Sequence, residues 1–87
     1  MYGIKATIIS LQRGYEHLEG LRAVRIVSDA YDILIMTDYV PIIGEVNGTV
    51  TLIANDGTMR KYENVHGFYR HSKNEFTFLL EGFRNAG

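Results

Sequence analysis

Residues 75–80 read Glu-Phe-Thr-Phe-Leu-Leu, and this stretch carries the clearest structural signal in the chain. Phe76, Phe78 and Leu80 fall at alternate positions, which is the period of a β-strand that turns one face to a core. The other face is mostly polar but includes Leu79. The stretch therefore predicts a half-buried strand.

Outward from this strand, the rest of the chain shows the same β signal. β-branched and aromatic residues recur throughout, and turn residues interrupt them about every 6 to 12 positions. The predicted fold class is all-β, a small sandwich of about eight to ten short, mostly antiparallel strands. A change of phase at Ala23-Val24 also predicts a β-bulge. The predicted strands span roughly 3–10, 14–18, 21–27, 31–36, 41–46, 49–54, 58–64, 66–71 and 75–80.

Two turn signals fall within residues 41–64. The dipeptide Asn47-Gly48 separates two β-favouring runs and predicts a two-residue hairpin turn, because both residue types tolerate a positive φ. Asn-Asp-Gly at 55–57 predicts a second hairpin loop, with Gly57 in the left-handed position. Together the two turns predict a three-stranded meander.

Length and composition limit the function classes. The 87 residues fit one domain, predicted to span 1–82 and to be followed by a short, mobile tail at 83–87. The 9 basic and 10 acidic residues nearly balance, which gives no net attraction to nucleic acid or to an anionic membrane. The chain has no cysteine, which excludes a disulfide framework and a thiolate metal site.

The expected location is the cytoplasm. The longest apolar run, at 33–36, is far shorter than the ~20 residues of a membrane span. The N-terminus lacks the apolar stretch of a signal peptide. We therefore expect a cytoplasmic domain that reaches a membrane only through a partner.

No arrangement of residues predicts catalysis or cofactor binding. His66 and His71 are the closest histidines, but on one strand an odd spacing directs them to opposite faces, which disfavours a metal site. The chain contains neither a Gly-x-Ser-x-Gly elbow nor a glycine-rich phosphate loop. We therefore expect a protein that is not an enzyme and takes no metal or cofactor.

Aromatic and basic residues near the C-terminus support one alternative. Tyr62, Phe68 and Arg70 combine stacking and cationic groups, with Arg60 and Lys61 nearby. Small β-barrels bind single-stranded nucleic acid through such platforms. Acidic residues interrupt the patch, so this function is an alternative, and no nucleic acid partner is expected in the main prediction. A homo-oligomeric structural role through exposed strand edges is a third hypothesis.

Three stretches, taken in order, resemble one known family. Residues 4–10 form an opening strand, 35–46 read Ile-Met-Thr-Asp-Tyr-Val-Pro-Ile-Ile-Gly-Glu-Val, and 65–68 read Val-His-Gly-Phe. The second and third are similar to the Val-Leu-Pro-Gly-His-Ala-Pro-Leu and Val-x-Gly-Gly-Phe motifs in the N-terminal β-sandwich of the F-type ATP synthase epsilon subunit. Tyr39 stands where that family has the motif histidine. The helical hairpin that follows the sandwich in the family has no counterpart here.

The resemblance implies a non-catalytic sandwich that binds a rotor-type subunit. It places the loop at Asp38, Tyr39 and Pro41 at the partner-facing end. An equally weighted alternative is that Tyr39 only covers the end of the domain.

The side that the family's helical hairpin covers would be uncovered in this chain. The outward alternates of the late strands there are Ile43, Tyr69 and Leu79. We predict that they are partly exposed, that they contribute to an apolar patch, and that a protein partner or a second copy covers it.

Overall fold

The computed structural model describes residues 3–12 and 14–83, most of which lie in six β-strands. The described ranges contain no helix with the length and apolar character to cross a membrane. The strands are β1 (Ile4–Ser10), β2 (Gly14–Ser28), β3 (Asp32–Met36), β4 (Ile42–Ala54), β5 (Met59–Ser72) and β6 (Glu75–Phe83).

Five of the strands close into a barrel. Their order is β1-β6-β5-β4-β2, and β1 pairs with β2 as well as with β6. The sixth, β3, is added alongside β2. The β1–β6 pair is parallel, whereas the other pairs are antiparallel. The all-β class is confirmed, but the predicted sandwich is wrong in its finer description, because the sheet closes on itself.

Fewer strands form than predicted because three of them bend without breaking. β2, β4 and β5 each join two predicted strands, namely 14–18 with 21–27, 41–46 with 49–54, and 58–64 with 66–71. Register shifts mark two of the bends. One adds a residue to β2 between Leu21 and Ala23, and the other adds a residue to β5 between Tyr62 and Val65, opposite Gly48 and Val50 of β4. A β-bulge lets a strand turn a corner while it stays paired. The bulge predicted at Ala23-Val24 is thus found next to Ala23.

The predicted hairpin turn at Asn47-Gly48 is wrong. Both residues lie inside β4, where Gly48 pairs with Ser28 of β2. The position requires glycine because a Cβ there would overlap the backbone carbonyl oxygen of Val27. The backbone N–H of Asn47 donates to Ser28 Oγ at 2.9 Å, and its side-chain amide donates to Asp29. The close crossing of two strands, and not a turn, explains this dipeptide.

The second predicted hairpin is confirmed. Gly57 has a φ of 93°, and its N–H donates to the Ala54 carbonyl oxygen at 3.0 Å. Another two-residue turn joins β5 to β6 at Lys73 and Asn74, whose φ values are 52° and 61°. Positive φ at both positions matches the twist of the flanking strands.

The inward alternates of the strands fill the barrel. Phe76 packs against Phe78 with ring centroids 6.4 Å apart, as their alternation predicts. β6 continues through Phe83, the first residue of the predicted tail, and residues 84–87 lie outside the described ranges. The buried cluster comprises Ile4, Ala6, Ile8, Leu21, Val24, Ile26, Ile35, Val46, Val50, Leu52, Tyr62, Val65, Tyr69, Phe76, Phe78 and Leu80.

Candidate partner-binding surface

Four apolar side chains form a row across the outside of the barrel. The strand register places Phe68 opposite Leu79, Leu79 opposite Ile9, and Ile9 opposite Tyr15. Phe68 and Leu79 are each 44% exposed, Ile9 is 39% exposed and Tyr15 is 68% exposed. Side chains that are directly opposite on paired strands lie in mutual contact range. We call these four residues the outer apolar row.

The row faces outward because of the period of each strand. Both chain neighbours of Phe68, of Leu79 and of Ile9 are buried. Since successive side chains on a strand alternate between faces, the residues between buried neighbours must point to the surface. The same packing that fills the barrel therefore fixes these three residues of the row on its outside, and Tyr15 lies beside Ile9 through the β1–β2 register.

One flank of the row is anionic. His66 lies two positions from Phe68 on β5, and its Nε2 is 3.0 Å from Glu45 Oε2. Its Nδ1 is 3.3 Å from Glu81 Oε1. Glu81 lies on this flank, whereas Glu45 is paired with Phe68 and so continues the line of the row on β4, with its carboxylate reaching toward His66. Two carboxylates therefore border the imidazole at this edge of the row.

The opposite flank carries a cation. Arg70 lies two positions from Phe68 in the other direction along β5, opposite Ile43 on β4 and Thr77 on β6. Its side chain is exposed, and it makes no hydrogen bond or ion pair within the described part of the chain. The outer apolar row thus lies between a negative edge and a cation that has no partner within residues 3–12 and 14–83.

The six predicted partner-binding residues do not all lie on this surface. Leu79 belongs to the row, and Ile43, which is 77% exposed, lies beside Arg70. Pro41 is also exposed. The partial exposure predicted for Ile43 and Leu79 is therefore confirmed. Leu79 also lies between Phe68 and Ile9, two exposed apolar residues that were not predicted to belong to the patch.

The loop at 37–41 is fixed to the β5–β6 turn. The backbone N–H of Asp38 donates to Asn74 Oδ1 at 2.7 Å, and Asn74 Nδ2 donates back to Asp38 Oδ1 at 3.2 Å. Tyr39 is half-buried and packs against the core. The structure thus places Tyr39 over the end of the barrel, which matches the alternative interpretation of this residue.

The predicted exposure of Tyr69 is wrong. Tyr69 is only 3% exposed, because its strand phase directs it inward and its ring lies in the space that Gly44 leaves without a side chain. Its hydroxyl lies 2.9 Å from that of Tyr31, which in turn donates to the Glu45 carbonyl oxygen. Burial, and then the Tyr31 hydrogen bond, raise the pKa of Tyr69. Tyr69 therefore anchors β4 and the β2–β3 connection to β5.

The aromatic and basic groups of the nucleic-acid hypothesis do not share a surface. Phe68 and Arg70 point outward, but Tyr62 is 4% exposed and its hydroxyl donates to Glu16 Oε1 at 3.1 Å. Arg60 binds the other oxygen of the same carboxylate at 3.0 Å. The stacking platform predicted from the sequence is therefore not assembled.

Histidine and carboxylate side chains are the candidate metal ligands in this chain, which has no cysteine. His66 is on the outside and His71 is buried, so their predicted opposite orientation is confirmed. Asp32 accepts two hydrogen bonds from Arg25, at 3.2 and 2.7 Å. Among the described residues, no three histidine, cysteine, aspartate or glutamate side chains group in a way that fits a metal ion.

Four hollows on the barrel surface are small, and two of them adjoin the flank of the row, where Arg70 contributes to the lining. All four measure about 290 to 380 Å³, at the low end for sites that enclose a small ligand. None of these four is lined by a residue of the outer apolar row.

Sequence reasoning missed most of the row. Ile9 and Tyr15 each lie on the polar-rich face of their strands, where a single exposed apolar residue is ordinary. Only the register between strands shows that they join Phe68 and Leu79 in one line.

Comparison of the chain with protein-family models and with curated proteins found no match in either.

Proposed function

We propose that this chain is a non-catalytic protein-binding domain that docks through the outer apolar row. The observation that carries the proposal is the alignment of Ile9, Tyr15, Phe68 and Leu79 on four adjacent strands, each with more than a third of its surface exposed. Contiguous exposed apolar patches on small proteins mark interaction sites.

The composition of the surface supports this role. Aromatic residues are enriched at the centres of protein interfaces, and charged residues occupy the rims. Phe68 and Tyr15 supply the aromatic groups, whereas Glu45, Glu81 and Arg70 lie at the border. Burial of the row by a partner would remove apolar surface from water without trapping a charge at its centre.

A rotor-type subunit, the partner implied by the family resemblance, stays a prediction about partner identity. The closed barrel differs from the sandwich on which that expectation depends. The protein-binding proposal depends on the row alone and not on the resemblance. A pull-down against rotor subunits tests the identity, and recovery of none would remove that partner while leaving the docking surface in place.

Site-specific photo-crosslinking tests the docking surface. A benzoylphenylalanine at position 68 places the reactive group in the row, and the same group at the exposed Lys61 provides a matched control on another part of the barrel. We expect irradiation in cells to give a protein adduct from position 68 and little or none from position 61. Equal adducts from both positions, or none from position 68, would contradict the proposal.

A further inference from the structure

We infer that the outer apolar row binds a second copy of the same chain, in a dimer whose twofold axis runs along the row. This inference rests on the proposed function and names its partner. Two properties of the described surface carry it: the row lies between flanks of opposite charge, and the cation on one flank has no partner within the described chain.

A twofold axis along the row brings like apolar groups together. The row then packs on itself, with Phe68 over Phe68 and Leu79 over Leu79 of the second copy, and the strands of the two copies run in opposite directions. Interfaces of this kind use one patch that is complementary to itself. The patch here consists of side chains from four adjacent strands, so the contact is continuous across the sheet.

The same axis exchanges the two flanks. Arg70 and His66 lie two positions on either side of Phe68, which corresponds to about 6.6 Å along the strand in each direction. The rotation therefore places Arg70 over His66 of the second copy, next to the Glu81 and Glu45 carboxylates that border this imidazole. Glu45 pairs with Phe68 on β4, so it also lies close to Glu45 of the second copy, and the contact of Arg70 with both carboxylates offsets this repulsion. Each dimer contains this contact twice, because the axis relates the two copies equally.

Charge complementarity favours this arrangement over the other simple one. A twofold axis parallel to the strands would turn the row end to end, so that Phe68 meets the Tyr15 end of the second copy and Arg70 lies away from Glu45 and Glu81 of that copy. The net charge of −1 adds little repulsion between copies. A second copy supplies both the apolar row and the carboxylates that Arg70 lacks, so no other partner chemistry is needed to satisfy the surface.

A charge-exchange experiment tests the arrangement by sedimentation equilibrium. We expect the wild-type chain to dimerise, with affinity that falls as salt rises. Arg70→Glu alone sets a third carboxylate against Glu45 and Glu81 in each contact, and Glu45→Lys with Glu81→Lys surrounds Arg70 with cations. Either variant should weaken the dimer about 100-fold or more.

Mixing the two variants should restore dimers as heterodimers. In the mixed dimer one contact pairs the glutamate introduced at position 70 of the first variant with the two introduced lysines of the second. The other contact keeps the original Arg70 and its two carboxylates. This rescue requires that Arg70 meets Glu45 and Glu81 across the interface, and an assembly that stops at two chains shows that the arrangement is twofold. Lys61→Glu, a charge reversal at an exposed site outside the row, is the control and should leave the dimer unchanged.

The outcomes separate the inference from the proposed function. A wild-type chain that stays monomeric to about 100 µM, or failure of the mixture to rescue association, overturns the dimer. A crosslink from position 68 to a different protein would then keep the docking surface and replace its occupant. Absence of any crosslink would remove the docking surface as well. Thermal unfolding of each variant shows whether its barrel remains folded.

Discussion

His71 is a buried polar residue whose ring nitrogens have no hydrogen-bond partner among the residues that the structure describes. It is 0% exposed, with Ile42 on one side, Phe76 on the other, and the Phe76 ring 6.3 Å away. Burial lowers the pKa of His71 below its ordinary value of 6.5, because the charged imidazolium is poorly solvated in the core. The native barrel therefore holds His71 neutral where the unfolded chain would bind a proton.

This residue predicts acid sensitivity of the fold. Well above the pKa that His71 has in the unfolded chain, both states hold the residue neutral and the free energy of unfolding is at its full value. As the pH falls below that pKa, the unfolded chain binds a proton that the native barrel does not, so the free energy of unfolding decreases by up to about 1.4 kcal/mol per pH unit. Urea unfolding at pH 7 and at pH 5.5 should show a lower midpoint at the acidic pH. His71→Leu should flatten this dependence and raise stability by about 1 kcal/mol, since it removes two unsatisfied polar atoms.

The outer-face residue His17 provides the matched control for this titration. It contacts Thr7 and Glu19 and is exposed, so His17→Gln replaces a histidine outside the core and leaves the surroundings of His71 unchanged. An acid dependence that survives His71→Leu would show that other groups cause it.

At the scale of the element, glycine in β4 decides whether two strands can cross. Gly48→Ala should destabilise the barrel by about 3 kcal/mol, because the new methyl group meets the fixed backbone oxygen of Val27. Gly57→Ala in the β4–β5 loop has open space and loses only the ease of a positive φ, at a cost of about 1 kcal/mol. Chemical denaturation of both variants measures the difference. Equal costs would argue that Gly48 serves a turn.

The strands also show which features of the fold can be predicted from sequence patterns. Period-two alternation located nearly every strand and the inward residues Phe76 and Phe78, because it depends only on neighbours along the chain. The turn predicted at Asn47-Gly48 was wrong because the same dipeptide suits both a hairpin turn and a close crossing of two strands. The crossing depends on Val27, which is distant in the sequence. Of the outer apolar row, only Leu79 was predicted as a partner-binding residue, since a row across strands is set by register.

At the scale of the whole molecule, the barrel and the added strand β3 should differ in how well their backbone amides are protected from hydrogen exchange. β1, β2, β4, β5 and β6 form the closed ring, whereas β3 pairs only with β2 among the described strands. Backbone amides on an unpaired edge exchange with solvent more readily than those between two strands. We expect hydrogen exchange to be fastest at β3 and slowest in β6, which lies between β5 and β1.

Exchange measured by NMR at single residues checks this order. The informative comparison is between alternate amides of β3, because those directed at β2 should be protected and those on the outer edge should not. Uniform protection along Asp32–Met36 would indicate that another strand covers the edge.

The parallel pairing of β1 with β6 has a consequence for how the chain reaches its native state. Lys5 pairs with Glu75 and Ser10 with Leu80, so the contacts that close the ring join residues that are far apart in the sequence. Such long-range contacts slow folding, since the chain must lose the entropy of a large loop before any of these contacts can form. On the ribosome, a nascent chain cannot complete the ring until β6 has emerged from the exit tunnel. Until then β1 has an unpaired edge and Ile9 an incomplete apolar neighbourhood, so this interval is when association with the wrong chain is most favourable.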